Sequence, residues 1–148
     1  MLAIIIISAL VAIDQVAKYF AYTHLRDVGS IALTSFFSLT YLENRGAAFG
    51  MLYGGRWFFV IFTIIVMVLL FKYYKSLPND KINKYLKASI IILSAGAIGN
   101  FIDRLLFGFV IDYFHITAFN FPIFNFADVL IVCGAVMYGA LTVFFIKE

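Results

Sequence analysis

The sequence predicts an all-α polytopic membrane protein, with four transmembrane helices and a small extracytoplasmic β-sheet in the first outer loop. Three observations carry that expectation. Hydrophobic residues make up 64% of the 148, and only 13% are charged. A soluble domain of this length has too much surface for its volume to hide that apolar area, so the bilayer must solvate much of it. Four apolar stretches, at about 2–22, 56–74, 84–106 and 125–146, approach the length that spans a bilayer. Between the first two lies a segment with strand-like alternation. Residues 1–148 read as a single membrane-embedded domain.

Each span is expected to be helical, because only a helix or a closed barrel satisfies its backbone groups inside lipid. The first could pass for a signal peptide. No Lys or Arg precedes it and no small-residue cleavage site follows, so it reads as a retained helix continuing through Asp14 and Lys18. The second is short, with Trp57 at one end and Tyr73 and Tyr74 at the other, as interfacial aromatics are placed. In the third, Ala95 and Gly99 form a small-xxx-small pair, as do Ala135 and Gly139 in the fourth; both pairs are expected at helix contacts. Cys133 lies in an apolar run and reads as a small hydrophobe filling a helix.

The loops differ in charge. The loop between spans two and three carries Lys72, Lys75, Lys81, Lys84 and Lys87 against Asp80, and Lys147 follows the fourth span. The positive-inside rule makes that face cytoplasmic, with both termini inside and the first and third loops outside. The net charge of +3 has this origin. No basic stripe with interleaved aromatics suggests nucleic acid. In the first outer loop, residues 31–42 alternate with period two, which predicts a small sheet at the membrane surface. The third loop, 108–124, is rich in aromatic residues suited to the interface.

Ionisable groups in or beside membrane spans are expensive, so each invites a functional reading. Asp14 and Lys18, four apart, share a helix face and form either a compensating ion pair or part of a site. Asn44-Arg45-Gly46-Ala47-Ala48-Phe49-Gly50 reads as a turn ending a strand, or as a place where backbone approaches a ligand. Asn100, Asp103 and Arg104 can project to one side of the third span, unless Asp103 and Arg104 simply neutralise each other. Asp112 is an isolated acid among apolar residues; if it does not reach water, desolvation raises its pKa. Asn125 and Asp128 resemble a capping box at the start of the fourth span, a rigid place from which to hold a carboxylate.

Two histidines without ligand spacing argue against metal hydrolysis. Lys18, the one lysine set well inside a span rather than near its end, is claimed by Asp14, which argues against a serine–lysine pair. Two carboxylates are the best engine: one ionised to take a proton from water, one protonated to polarise a carbonyl, with neither metal nor cofactor. Asp128 is one of them. Spacing leaves Asp103 and Asp112 both open as its partner.

The ordered set Asp14-x-x-x-Lys18, Asn44 to Gly50 as above, Gly99-Asn100-x-x-Asp103-Arg104, Val110-Ile111-Asp112-Tyr113 and Phe124-Asn125-x-Ala127-Asp128 resembles the lipoprotein signal peptidase (signal peptidase II) family. The resemblance implies an aspartic endopeptidase of the bacterial plasma membrane. It would remove the signal peptide from a diacylglyceryl-modified prolipoprotein, cutting before the lipidated lipobox cysteine. It implies Asp112 and Asp128 as the catalytic acids. Asp14, Lys18, Asn44, Arg45, Gly46, Asn100, Asp103, Arg104, Asn125 and Ala127 would support the site or bind substrate, and the sheet would cradle the lipobox. Such an enzyme is expected to be a monomer with membrane lipids as its surroundings and its active site near the outer face. The rival expectation is a small four-helix proton-coupled exporter using Asp14; the concentration of acids at the outer ends of the spans speaks against it.

Overall fold

Each apolar stretch folds as one helix in the computed structural model, which describes residues 1–46, 51–119 and 121–145. Helix α1 spans Leu2–Leu25, α2 Arg56–Ser76, α3 Lys81–Leu106 and α4 Phe126–Phe145. All four are long and apolar enough to cross a membrane. Residues 47–50 of the first-loop motif, position 146 at the expected end of the fourth span, and Lys147 lie outside the described residues.

Local chemistry moves the helix ends by a few residues from the hydrophobic pattern. α1 runs on past Tyr22 because nothing breaks it before Gly29, whose positive φ turns the chain while its N–H bonds Leu25 O at 2.7 Å. α3 starts at Lys81 rather than 84, because the Asp80 side chain caps it by accepting from Asn83 N at 2.9 Å.

Helix α3 is the centre of the bundle and packs on α1, α2 and α4. Within its apolar window 44% of residues are buried, against 6–11% in the other three helices, whose apolar faces are left to the lipid. Glycines permit the close approaches. A Cβ on Gly96 would collide with Ala127 O, and one on Gly134 would lie 2.7 Å from Leu93 N. One small pair behaves differently from expectation. Gly139 has nothing within 4 Å and Ala135 is exposed, so the contact on α4 is made by Gly134. Cys133 likewise fills no core: it is exposed.

The sheet draws on two loops, not one. Strands β1 (Ser30–Ala32) and β2 (Phe37–Asn44) come from the loop between α1 and α2, and β3 (Val110–Ile116) comes from the loop between α3 and α4. The order is β1-β2-β3, antiparallel throughout, with Leu42 opposite Asp112 and Asn44 opposite Val110. An irregularity between Leu39 and Leu42 shifts the register. A bridge between Phe114 and Phe124 brings the start of α4 alongside β3. Asp112 therefore sits on a strand pinned between β2 and the helices, in place of the end of a helix.

Candidate active site

Lys18 organises one half of the polar interior. Its side chain is buried, and Nζ has three oxygens at 2.9 Å: Asp14 Oδ2, Asp103 Oδ2 and Asn100 Oδ1. An ammonium carries three donors, so this set satisfies it. Each carboxylate then ties a further element. Asp14 Oδ1 accepts from Ala127 N at 3.0 Å, in the first turn of α4. Asp103 Oδ2 accepts from Ile111 N at 3.2 Å, on β3. Gly99 leaves room for this arrangement, since a Cβ there would stand 2.5 Å from Asp14 Oδ2. Asp103 is thus paired with Lys18, and Arg104 takes another direction: its Nη2 donates to Gly46 O at 3.2 Å and its guanidinium lies 4.6 Å from the centre of the Phe59 ring. Asn100 stands between the two: beside Asp103 it meets Lys18, and with Arg104 it lines the cavity described next, so the expected single side divides between two sets.

Asp112 and Asp128 belong to a different set, held by amides. Asn44 Nδ2 donates to Asp112 Oδ2 at 2.9 Å, and Asn125 Nδ2 donates to Asp112 Oδ1 at 2.6 Å. Asn100 Nδ2 donates to Asp128 Oδ1 at 2.7 Å. The Asn100 carbonyl accepts from both Lys18 and Asn125, the latter at 3.1 Å, and this directs its NH₂ to Asp128. Asn125 and Asp128 also form the expected reciprocal cap: Asp128 N donates to Asn125 Oδ1 at 2.9 Å and Asn125 N to Asp128 Oδ2 at 3.1 Å. Asp112 does not reach water, being only 1% exposed. Burial, seconded by the charge of Asp128, pushes its carboxyl up from 3.8 to about 7.

Both carboxylates line one cavity of about 480 Å³, together with Asn44, Asn100 and Arg104. Its remaining walls are apolar, formed by 121–124 and the Val129–Cys133 stretch of α4. A cavity of this kind, with a few convergent polar groups and a perturbed acid, has the form of a binding site. The residue pair can hold one proton between two acids and present it to a bound carbonyl.

The structure therefore divides the residues singled out in the sequence. Asp112, Asp128, Asn44, Asn100 and Arg104 meet at the cavity, and Asn125 bridges them. Gly46 supports from its backbone, its N–H donating to Asn44 Oδ1 at 3.0 Å. Asp14, Lys18, Asp103 and Ala127 lie behind. Arg45 points away, stacked 5.5 Å from the Phe109 ring centre and paired with Glu43 at 3.2 Å.

Known proteins give this constellation a family. The model for "Signal peptidase (SPase) II" matches residues 6–145. The chain belongs to the signal peptidase II family. A lipoprotein signal peptidase of Caldanaerobacter subterraneus subsp. tengcongensis is 42% identical over 144 residues, covering 97% of each chain. One of Clostridioides difficile strain 630 is 40% identical over 146 residues, covering 98% of this chain and 97% of its own. A solved structure described as a bacterial membrane enzyme, obtained by the in meso method at 2.3 Å, superposes with a TM-score of 0.86 at 36% identity. That match covers 99% of this chain and 92% of the other. As a signal peptidase II the chain is a protease, built on four apolar helices and a three-stranded sheet.

Two further residues of the chain join the polar interior, Gln15 and, from the 110–113 motif, Tyr113. Gln15 Nε2 donates to Asp103 Oδ1 at 3.0 Å and lies 3.2 Å from both Asp14 Oδ2 and Gly99 O. Tyr113 Oη accepts from Phe126 N at 3.3 Å, at the first residue of α4. Gln15 was visible as an amide inside an apolar span; Tyr113 stood in the Val110-Ile111-Asp112-Tyr113 motif without a role of its own.

Proposed function

We propose that Asp112 and Asp128 are the catalytic pair of an aspartic endopeptidase that removes the signal peptide from diacylglyceryl-modified prolipoproteins, cutting before the lipidated cysteine. The observation that carries this reading is the pair itself: two carboxylates open to one cavity, bonded only to amides, with the acid of raised pKa beside one that caps a helix.

The chemistry runs as follows. Protonated Asp112 donates to the scissile carbonyl oxygen, while ionised Asp128 accepts a proton from water. The water oxygen bonds to the carbonyl carbon, and the proton held by Asp112 passes to the carbonyl oxygen. When the carbon–nitrogen bond breaks, the proton on Asp128 goes to the departing amine of the lipidated cysteine, and Asp112 recovers its own from the hydroxyl as the new carboxyl forms. Asn44 and Asn125 keep Asp112 in place, Asn100 keeps Asp128, and Arg104 meets the substrate backbone at the cavity wall. The sheet cradles the lipobox.

The lysines at 72, 75, 81, 84 and 87 gather at the far end of the bundle from the cavity, which supports a cytoplasmic position for that end and a position near the outer face of the bacterial plasma membrane for the acids. The chain acts as a monomer, one peptidase unit over 1–148. Asp14 is held by Lys18, Gln15 and the Ala127 N–H, which favours an anchoring role over a mobile proton site of an exporter.

The test is cleavage of a diacylglyceryl-modified prolipoprotein by purified protein, with the cut mapped by mass spectrometry. Cleavage before the modified cysteine, lost in both Asp112→Asn and Asp128→Asn, is expected. Normal cleavage by either variant overturns the assignment.

A further inference from the structure

The two faces of the β2–β3 pair look into different cavities. Strand alternation sends Asn44, Val110 and Asp112 to the cavity just described and Glu43 and Ile111 to a second one. The second is larger, about 770 Å³, and shares no lining residue with the first. One wall is a single stripe of α1 that ends outward at Tyr22 and Arg26; the facing wall carries Glu43, Arg45 and Phe109.

We propose that this second cavity seats the phosphodiester headgroup of an anionic glycerophospholipid between Arg26 and Arg45. At the floor, Lys18 and Asp103 satisfy each other. Both oxygens of Glu43 are engaged, Oε1 by the Tyr41 hydroxyl at 3.3 Å and Oε2 by Arg45 Nη2 at 3.2 Å. Donors remain in excess. A guanidinium has five N–H donors. Arg26 uses one on Tyr22 Oη at 2.7 Å, and Arg45 uses one on Glu43. Both are steadied by ring faces, Arg26 at 4.9 Å from the Tyr22 centre and Arg45 at 5.5 Å from that of Phe109. Two exposed cations at the rim, each resting on a ring and with donors to spare against one engaged carboxylate, suit an anion with several acceptor oxygens. Acyl chains offer none.

The source of that anion follows from the position. Arg26 caps the outer end of α1, at the depth of headgroups, and the exposed side chains of Tyr19 and Phe107 flank the opening with apolar surface for the glycerol esters. A soluble phosphate would gain nothing from those walls. The binding claim does not depend on the roles given to Asp112 and Asp128.

The experiment is native mass spectrometry of delipidated, detergent-solubilised protein titrated with phosphatidylglycerol, with diacylglycerol of the same chains, and with glycerol 3-phosphate. Phosphatidylglycerol is expected to be retained and diacylglycerol not. Arg26→Gln should weaken retention roughly fivefold, and Arg26→Gln with Arg45→Gln roughly twenty-fivefold, at about 1 kcal/mol per arginine. Lys72→Gln, at the opposite end of the bundle, should leave it unchanged. Equal retention of phosphatidylglycerol and diacylglycerol overturns the proposal. So does unchanged retention in folded Arg26→Gln, an exposed position that tolerates the change even if the double variant does not. Displacement of the lipid by equimolar glycerol 3-phosphate overturns the lipid as the source.

Discussion

The protein gathers four aspartates at one end of its helices, three of them buried and Asp128 partly so, and treats them in two ways. Asp14 and Asp103 share the ammonium of Lys18 and reach onward to backbone N–H groups of α4 and β3. Asp112 and Asp128 have only amide and backbone N–H partners and face a cavity. A carboxylate paired with a fixed counter-ion ties elements together. A carboxylate held by neutral amides is oriented while its proton remains available. Depth does not separate the pairs, since Asp14, Asp103 and Asp112 are all essentially inaccessible; the partner does.

Removing the proposed reactive pair should give the largest effect on chemistry. Asp112→Asn and Asp128→Asn are each expected to lower the cleavage rate by roughly 10²–10⁴-fold, measured on a lipidated prolipoprotein, with the fold kept. Removing the shared cation should instead fall on the fold. Lys18→Met leaves two buried carboxylates without a counter-ion and is expected to cost about 3–5 kcal/mol, read as a lower unfolding midpoint in detergent. A Lys18→Met protein as stable as the parent would erase the distinction between the pairs. Gly99→Ala tests the same cluster more gently. Its Cβ would press on Asp14 Oδ2, and a loss of about 1–3 kcal/mol is expected by the same measurement.

The effect that sharpens the comparison most is on pH. Asp112 titrates at about 7 in the folded chain against 3.8 ordinarily, so between those values the folded state binds the more protons and stability falls as pH rises. Asp112→Asn should therefore gain stability over the parent between about pH 4 and pH 7, and hold a constant gain above. Cleavage by the parent should fall as pH rises through about 7, when Asp112 loses the proton it presents. Unfolding midpoints and initial rates over the same pH series read both. A rate that climbs steadily to pH 9 would remove Asp112 from the acid's role.

Much of this was legible in the chain. The apolar lengths gave four helices, the i, i+4 spacing gave the Asp14–Lys18 pair, and the Asn125–Asp128 cap stood in the sequence as a local pattern. These depend on contacts within one turn of helix or on composition, and both are local properties. Glycine contacts were less legible: the pattern nominated Gly139, and the helices meet at Gly134, because spacing reports a small surface and not which face a neighbour occupies. The sheet was half legible, since period two marked β2, while the partner strand β3 lies some 70 residues on, in a loop that read only as aromatic.

The sequence by itself determined that this chain lives in a bilayer as four helices, and that most of its polar motifs stand toward one end of its spans. Free energy of transfer into lipid fixes the first, residue by residue, and position along each span fixes the second. Only the tertiary structure decided which acid faces which partner. Asp103 and Asp112 stand nine positions apart, equally plausible as partners of Asp128 by spacing. The fold turns Asp103 to Lys18, on another helix, and carries Asp112 on a strand to the cavity that Asp128 lines. A buried carboxylate's chemistry is set by the groups within a few ångströms of it, and here those groups come from every part of the chain.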